Sequence, residues 1–294
     1  VRYDLSALVR RTRNPRRSII VLREITAPAV MATDLFRAVY LPVIQVWERG
    51  AAPILAEYER TLSTLTIDGA DVRNHRTTLD APADVSREIG FVEQEVSRLI
   101  LTLTPRLRDW TLRVERHVRG KWRGAVLSAT GVDLTTLIGP EDARQTMEAA
   151  ASWNASLVKD VSEQARQRIS NAVFAGLNER KPAREVAREI REATGMARRR
   201  SVNIASDQLS KLSNSLSDER RREAGISIWE WVHSRKLHPR ESHKARDGNL
   251  YSDDPAMVGK VISGKTVRTP PATRPGQEPF CGCRQRSVIF FGDD

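Results

Sequence analysis

The sequence predicts an α+β protein, with a long N-terminal helical region followed by a small C-terminal α+β unit. Three observations carry this expectation. Apolar residues recur at helical spacing through most of the first 224 positions, residues 226–232 switch to a period of two, and residues 261–267 form two short apolar runs around a Ser-Gly turn.

Taken in order, the chain opens on a basic stretch. Arg10, Arg11, Arg13, Arg16 and Arg17 surround Asn14-Pro15. So many like charges repel without a fold to offset them, so residues 1–33 read as a flexible basic arm. Leu35, Val39, Val43, Val46 and Trp47 then follow one helical face, which Pro42 is expected to kink, and residues 50–53 separate it from a second run at 54–65. Val85, Ile89, Val92, Val96, Leu99, Ile100 and Leu103 mark a further helix, expected to end at Pro105, while Leu107, Trp110, Val114, Val118 and Trp122 carry on in the same period. These amphipathic lengths exceed what a small C-terminal unit needs for its own core. Residues 34–138 are therefore expected to be a helical docking region, with the domain boundary in residues 133–142.

Gly139-Pro140-Glu141-Asp142 suits a helix start, with proline in the first turn and acids at the positive end of the dipole. Leu157, Val161, Ala165, Ile169, Val173 and Leu177 share one face, and Ala183, Ala187 and Ile190 face them after the Lys181-Pro182 turn. Gly225 is a fitting helix stop, so residues 140–224 are expected to be helices and residues 225–294 a small α+β unit. In the period-two run, Ile226, Ile228 and Val232 fall on one face and Trp229 and Trp231 on the other, as in a strand covered on both sides. Pro239 can open a short helix that places His243 and Asp247 at i and i+4, with Gly248 ending it. Residues 261–267 read as a hairpin and residues 287–291 as a closing strand.

Composition narrows the function. The net charge is +11 and arginine greatly outnumbers lysine, which favours bidentate contact with phosphate or carboxylate. Arg198, Arg199 and Arg200 form a second basic cluster, which reads equally well as a solvated face or as a contact to nucleic acid through its phosphates. No apolar run approaches the roughly 20 residues that cross a bilayer, and the basic start lacks the apolar centre of a secretory signal, so a soluble, unprocessed protein is expected. Phosphate-loop, nucleophile-elbow and His-Glu-x-x-His motifs are missing from the sequence. Asp253-Asp254 reads as a solvated turn. Trp229 and Trp231 read as core in preference to a base-stacking platform.

One constellation survives as chemistry. His243, Asp247, Cys281 and Cys283 offer one nitrogen, one oxygen and two sulfurs, a set suited to a structural zinc ion. The plain alternative needs no cofactor: His243 and Asp247 bond the loop backbone and the thiols pack as small buried groups. Either device would cluster the four side chains. The two cysteines, one residue apart, would close a strained ring and are expected to stay reduced. His238 is a weaker ligand candidate, and His75, His117 and His233 belong to no cluster.

The order of Trp231, Arg240 with His243 and Asp247-Gly248, then Pro275-Gly276 and Cys281-Gly282-Cys283-Arg284 resembles the phage Mu F-like minor head proteins. Upstream, Ile204-Ala205-Ser206-Asp207-Gln208, Asn214, Arg222 and Gly225-Ile226 resemble that family's helix leading into the domain, and residues 153–191 its preceding helix pair. Ser206 and Gly282 depart from it, each standing where arginine is more usual. The resemblance implies a head-morphogenesis domain over residues 139–294 and a non-enzymatic capsid component. It further implies a place inside the virion at the portal vertex, reached by assembly in the host cytoplasm. The implied partners are portal protein, other phage head proteins and packaged DNA, with no membrane and no small-molecule substrate. Two other readings stay open: a metal-dependent nucleic-acid enzyme using the His/Asp/Cys set, and a free-standing DNA-binding protein, for which no groove-reading motif speaks.

Overall fold

The computed structural model describes residues 2–10, 18–68, 81–236 and 240–292. Its elements run α1 (Leu5–Arg10), β1 (Ile19–Val21), α2 (Val30–Leu35), a π turn (Phe36–Tyr40), α3 (Leu41–Asp68), α4 (Ala81–Thr130), α5 (Arg144–Glu179), α6 (Ala183–Glu223), β2 (Ile228–Val232), α7 (Glu241–Lys244), β3 (Leu250–Ser252), β4 (Val261–Ile262), β5 (Lys265–Arg268) and β6 (Arg284–Phe290). The α+β expectation holds.

The predicted apolar stripes are the buried ones. Val39, Val43 and Trp47 are buried, as are Val85, Ile89, Val92 and Val96, and likewise Trp110, Val114, Val118 and Trp122. Two of the three expected proline breaks do not occur. α3 runs through Pro53 and α4 through Pro105, because an apolar face continuous on both sides of each proline offsets the loss of one backbone bond, about 3 kcal/mol. Pro42 does mark an irregularity. The π turn just before it links Leu41 N–H to Phe36 O, and Ala38 O, the carbonyl that the missing Pro42 N–H would have served, accepts from Arg106 at 3.2 Å.

α6 ends in the motif expected at Gly225. Ile226 N–H bonds Arg221 O and Gly225 N–H bonds Arg222 O, with Gly225 at φ +70°. β2 follows directly and becomes the third strand of a six-stranded mixed sheet, ordered β1-β6-β2-β3-β5-β4. Among the described residues, only β3 and β5 pair in parallel. In β2, Trp229 lies opposite Tyr251 of β3 and Ser287 of β6. Both sheet faces are covered as predicted: Ile228, Leu250, Ile262, Val267 and Val288 form one core cluster, and Trp229, Trp231, Tyr251, Cys281 and Cys283 the other. The hairpin turns at Ser263-Gly264, both at positive φ.

The described part of the N-terminal stretch is not a free arm. α1 buries Leu5 and Val9, Leu5 N–H bonds Ala224 O, and β1 pairs antiparallel with β6, matching Ile20 to Ile289. Three β-branched residues after the arginines are enough to complete a sheet edge. The compact units therefore cut across the expected divisions at 33 and 138. One gathers Val1–Ala32, Arg108–Ala150 and Ile204–Asp294, and the other Thr33–Leu107 and Ala151–Asn203. Helices α4, α5 and α6 each lend a segment to both, since a core is assembled from contacts in space and a long helix can serve two.

Candidate functional site

The candidate site lies where the loop before β6 returns over the Trp229/Trp231 face of the sheet. α7 starts at Glu241 after Arg240, whose extended backbone acts as N-cap, and His243 N–H bonds Arg240 O at 2.9 Å. This single turn drives the His243 ring inward until it meets the Trp231 indole edge-on at 5.3 Å between centroids. His243, Cys281 and Cys283 are all buried, at 3%, 4% and 1% exposure. His243 Nδ1 is 3.4 Å from Cys281 Sγ and 3.8 Å from Cys283 Sγ. Both thiols are free.

Three of the four expected ligands thus come together, and Asp247 does not join them. The helix ends at Lys244, so the i and i+4 relation to His243 is lost, and Asp247 Oδ1 instead accepts the His233 backbone N–H at 2.8 Å. A different acid takes the place beside the ring. Glu278 Oε1 lies 3.3 Å from His243 Nε2, while Arg240 Nε holds Glu278 Oε2 at 2.9 Å and Thr273 Oγ1 donates to Oε1. Burial raises the Glu278 carboxyl, but His243, Thr273 and Arg240 together outweigh it and hold it below the usual range. Sequence spacing pointed to Asp247, and Glu278, far along the chain and on a loop, carried no periodic signal.

The cysteine loop is held by backbone bonds from all sides. Asp207 of α6 accepts the Phe280 N–H at 2.6 Å, Asn214 donates to Cys283 O at 3.2 Å, and Ser210 donates to Cys281 O at 3.3 Å. Lys236 Nζ donates to Phe280 O at 2.6 Å and Arg240 to Pro279 O at 3.1 Å. Gly276 completes the fit: it sits at φ +80°, and a Cβ there would meet Asn214 Nδ2 at 2.4 Å. Asp207, Asn214 and Gly276 belong to the motif order noted in the sequence, and their shared role is to fix this loop. The two thiols titrate as a pair: the neighbouring Cys283 lowers Cys281 against the pull of burial, and Cys281 together with burial raises Cys283.

The tryptophans are core. Trp229 stacks on Tyr251 at 4.8 Å, and Arg274 and Arg246 lie 5.2 and 5.1 Å from the ring centroids of Trp229 and Trp231. With both indoles at 0% exposure, neither can receive a base. Asp253 is exposed in its turn, as expected, but also pairs with Arg221 and with Arg274; Asp254 caps the turn that follows by accepting from Ala256 N–H. Two fully buried arginines went unnoticed in the sequence because a run of three basic residues at a helix end reads as solvated. Arg220 reaches Glu115 at 2.8 Å, Glu223 at 2.9 Å and Gly139 O at 2.8 Å, and Arg221 reaches Asp218 at 2.7 Å and Ile226 O at 2.6 Å.

Of the expected phosphate-binding groups, Arg11, Arg13, Arg16 and Arg17 lie outside the described residues, as does His238. Arg10 donates to Phe291 O at 3.4 Å. Arg198 and Arg200 remain half exposed while pairing with Glu48 at 3.8 Å and Asp160 at 2.8 Å, and Arg199 is exposed. Among the described residues, no helix is long and apolar enough to cross a membrane.

Comparison with known proteins agrees with the motif order. Residues 163–286 match the family described as Phage Mu protein F like protein. An uncharacterized protein of Haemophilus influenzae is 27% identical over 163 residues, which is 54% of this chain and 33% of that protein, so the match spans about a third of the relative's length. No solved structure matches. The matched segment holds α6, β2 to β5 and all three converging side chains, and over residues 163–286 this chain is similar to the phage Mu F-like proteins.

Proposed function

We propose that this protein is a phage minor head protein that acts in head morphogenesis, inside the capsid near the portal vertex, and contacts portal protein, other head proteins and the phosphates of packaged DNA. The match of residues 163–286 to the Mu F-like family carries this reading. Two features support the finer statements. α4 buries one apolar stripe yet leaves Phe91 and Leu101 at 53% and 78% exposure, large apolar groups that a docked partner would cover. Arg198, Arg199 and Arg200 keep guanidinium groups at the surface, where they can meet phosphates without reading bases.

The enzyme reading fares worse. His243, Cys281 and Cys283 are too deeply buried for a nucleic-acid phosphate to reach, and Glu278 is already engaged by His243 and Arg240. Co-expression with the portal protein of the same phage tests the docking face: Phe91→Glu with Leu101→Glu should abolish co-purification of an otherwise folded protein. Undiminished co-purification sinks the docking assignment, and absence of the wild-type protein from purified procapsids sinks the head-protein reading itself.

A further inference from the structure

Among the described residues, the only group of three or more side chains placed to share a cation is His243, Cys281 and Cys283, whose ligand atoms lie within 4.8 Å of one another. A tetrahedral zinc ion with bonds of about 2.3 Å to sulfur and about 2.0 Å to nitrogen sets its N and S ligands about 3.5 Å apart. The two Nδ1 to Sγ separations, 3.4 and 3.8 Å, bracket that distance. The loop that presents the sulfurs is held by α6 and by Lys236 and Arg240, so both thiols point to one ring nitrogen before any ion arrives.

Packing alone accounts poorly for this convergence. Both sulfurs converge on one ring nitrogen, a coincidence that the packing of small buried side chains does not require. On the outer side of the ring Glu278 Oε1 lies 3.3 Å from Nε2, off the line of a hydrogen bond but near enough for its charge to favour the tautomer with the proton there, leaving the Nδ1 lone pair toward the sulfurs.

We propose that His243 Nδ1, Cys281 Sγ and Cys283 Sγ bind one thiophilic divalent cation of the zinc class, with Glu278 as a positioning residue and water in the fourth place. Two thiolates and an imidazole select a borderline-soft ion over magnesium or calcium. Binding releases the remaining thiol protons to solvent. Asp247 is not a ligand. The inference stands apart from the head-protein reading, since it depends only on these side chains and not on where the protein resides.

The test is titration of the reduced, full-length protein with Co2+, followed by absorption. One equivalent should give the intense visible bands of a tetrahedral ion and sulfur-to-metal charge transfer, and Zn2+ should bleach both. Cys281→Ser, Cys283→Ser and His243→Gln should each weaken binding by about 100-fold or more, Glu278→Gln by about 10-fold to 100-fold, and Asp247→Asn not at all. Only weak bands of a hexa-aqua-like ion, or loss of the signal in folded Asp247→Asn, would overturn the assignment. Because the buried substitutions can impair folding, the unaltered protein supplies a second readout. Zn2+ should slow alkylation of both cysteines and a chelator should restore it, whereas equal rates with and without Zn2+ would overturn the proposal.

Discussion

Asp207 of α6 accepts the backbone N–H of Phe280 at 2.6 Å, across 73 positions of sequence. Phe280 sits at φ +58°, a conformation disfavoured for a bulky side chain, and it immediately precedes Cys281. A helix carboxylate therefore holds in place the strained turn that delivers the first sulfur. The same carboxylate pairs with Lys211 one turn along, at 2.8 Å.

Removing that acceptor should loosen the loop without unfolding the sheet. For Asp207→Ala, the partly buried Phe280 N–H loses its partner at a cost of about 1–2 kcal/mol, so local opening should become roughly 5-fold to 30-fold easier. Thiol labelling of Cys281 under native conditions reads this directly. Labelling as slow as in the wild type would mean that the other loop contacts suffice.

Arg220 is the most heavily paired cation in the core, with Glu115 and Glu223 within 3 Å and Asp142 at 3.5 Å. Arg220→Met leaves Glu115, itself almost fully buried, with Arg119 at 3.0 Å as its remaining partner, and should destabilise the protein by about 3 kcal/mol in urea unfolding. Adding Glu115→Gln should recover part of the loss, because the uncompensated charge is what costs most. Strictly additive losses would argue that the pair is not coupled.

Asp253 gives the structure an acid sensitivity with a defined sign. Burial raises its carboxyl, but Arg221 and Arg274 outweigh that and hold the folded value below the ordinary one, about 3.9 in an unfolded chain. The stability it contributes is then fully present above that value and is lost as pH falls through the lower, folded one. Asp253→Asn should be less stable than the wild type near neutrality, with the gap closing below about pH 4. A gap in thermal midpoint that stays constant down to about pH 2 would refute the assignment.

If the basic groups meet DNA through phosphates, affinity should be independent of sequence and fall linearly on a logarithmic salt axis. Replacing Arg198, Arg199 and Arg200 with glutamine should reduce that slope by about 1 to 3, roughly one unit per lost phosphate contact. Arg198 and Arg200 already pair with Glu48 and Asp160, so Arg199 should account for the largest single share. An unchanged slope in filter binding or fluorescence anisotropy would assign the cluster to the solvated surface.

Much of the architecture was legible because it is written in periodicity. The stripe from Val85 through Trp122, the two-faced strand at Trp229 and Trp231, the Gly225 stop and the Ser263-Gly264 turn each depend on neighbours a few residues away, and each is present. The site was legible in part. His243, Cys281 and Cys283 were identifiable from residue type, but their partner was not, since the i and i+4 spacing that favoured Asp247 holds only while the helix continues and α7 stops after four residues.

By itself, then, the sequence determined the elements, their buried faces and the chemistry of the donor atoms, all of which follow from short-range sterics and from the alternation of apolar and polar residues. Tertiary structure alone decided which distant groups meet. It set Glu278 beside His243, Asp207 beneath Phe280 and β1 against β6, carried α4 through Pro105, and buried Arg220 and Arg221 among carboxylates. The reason is physical: a charge or a proline has a local cost that sequence reveals, and whether that cost is offset depends on partners that only folding brings within reach.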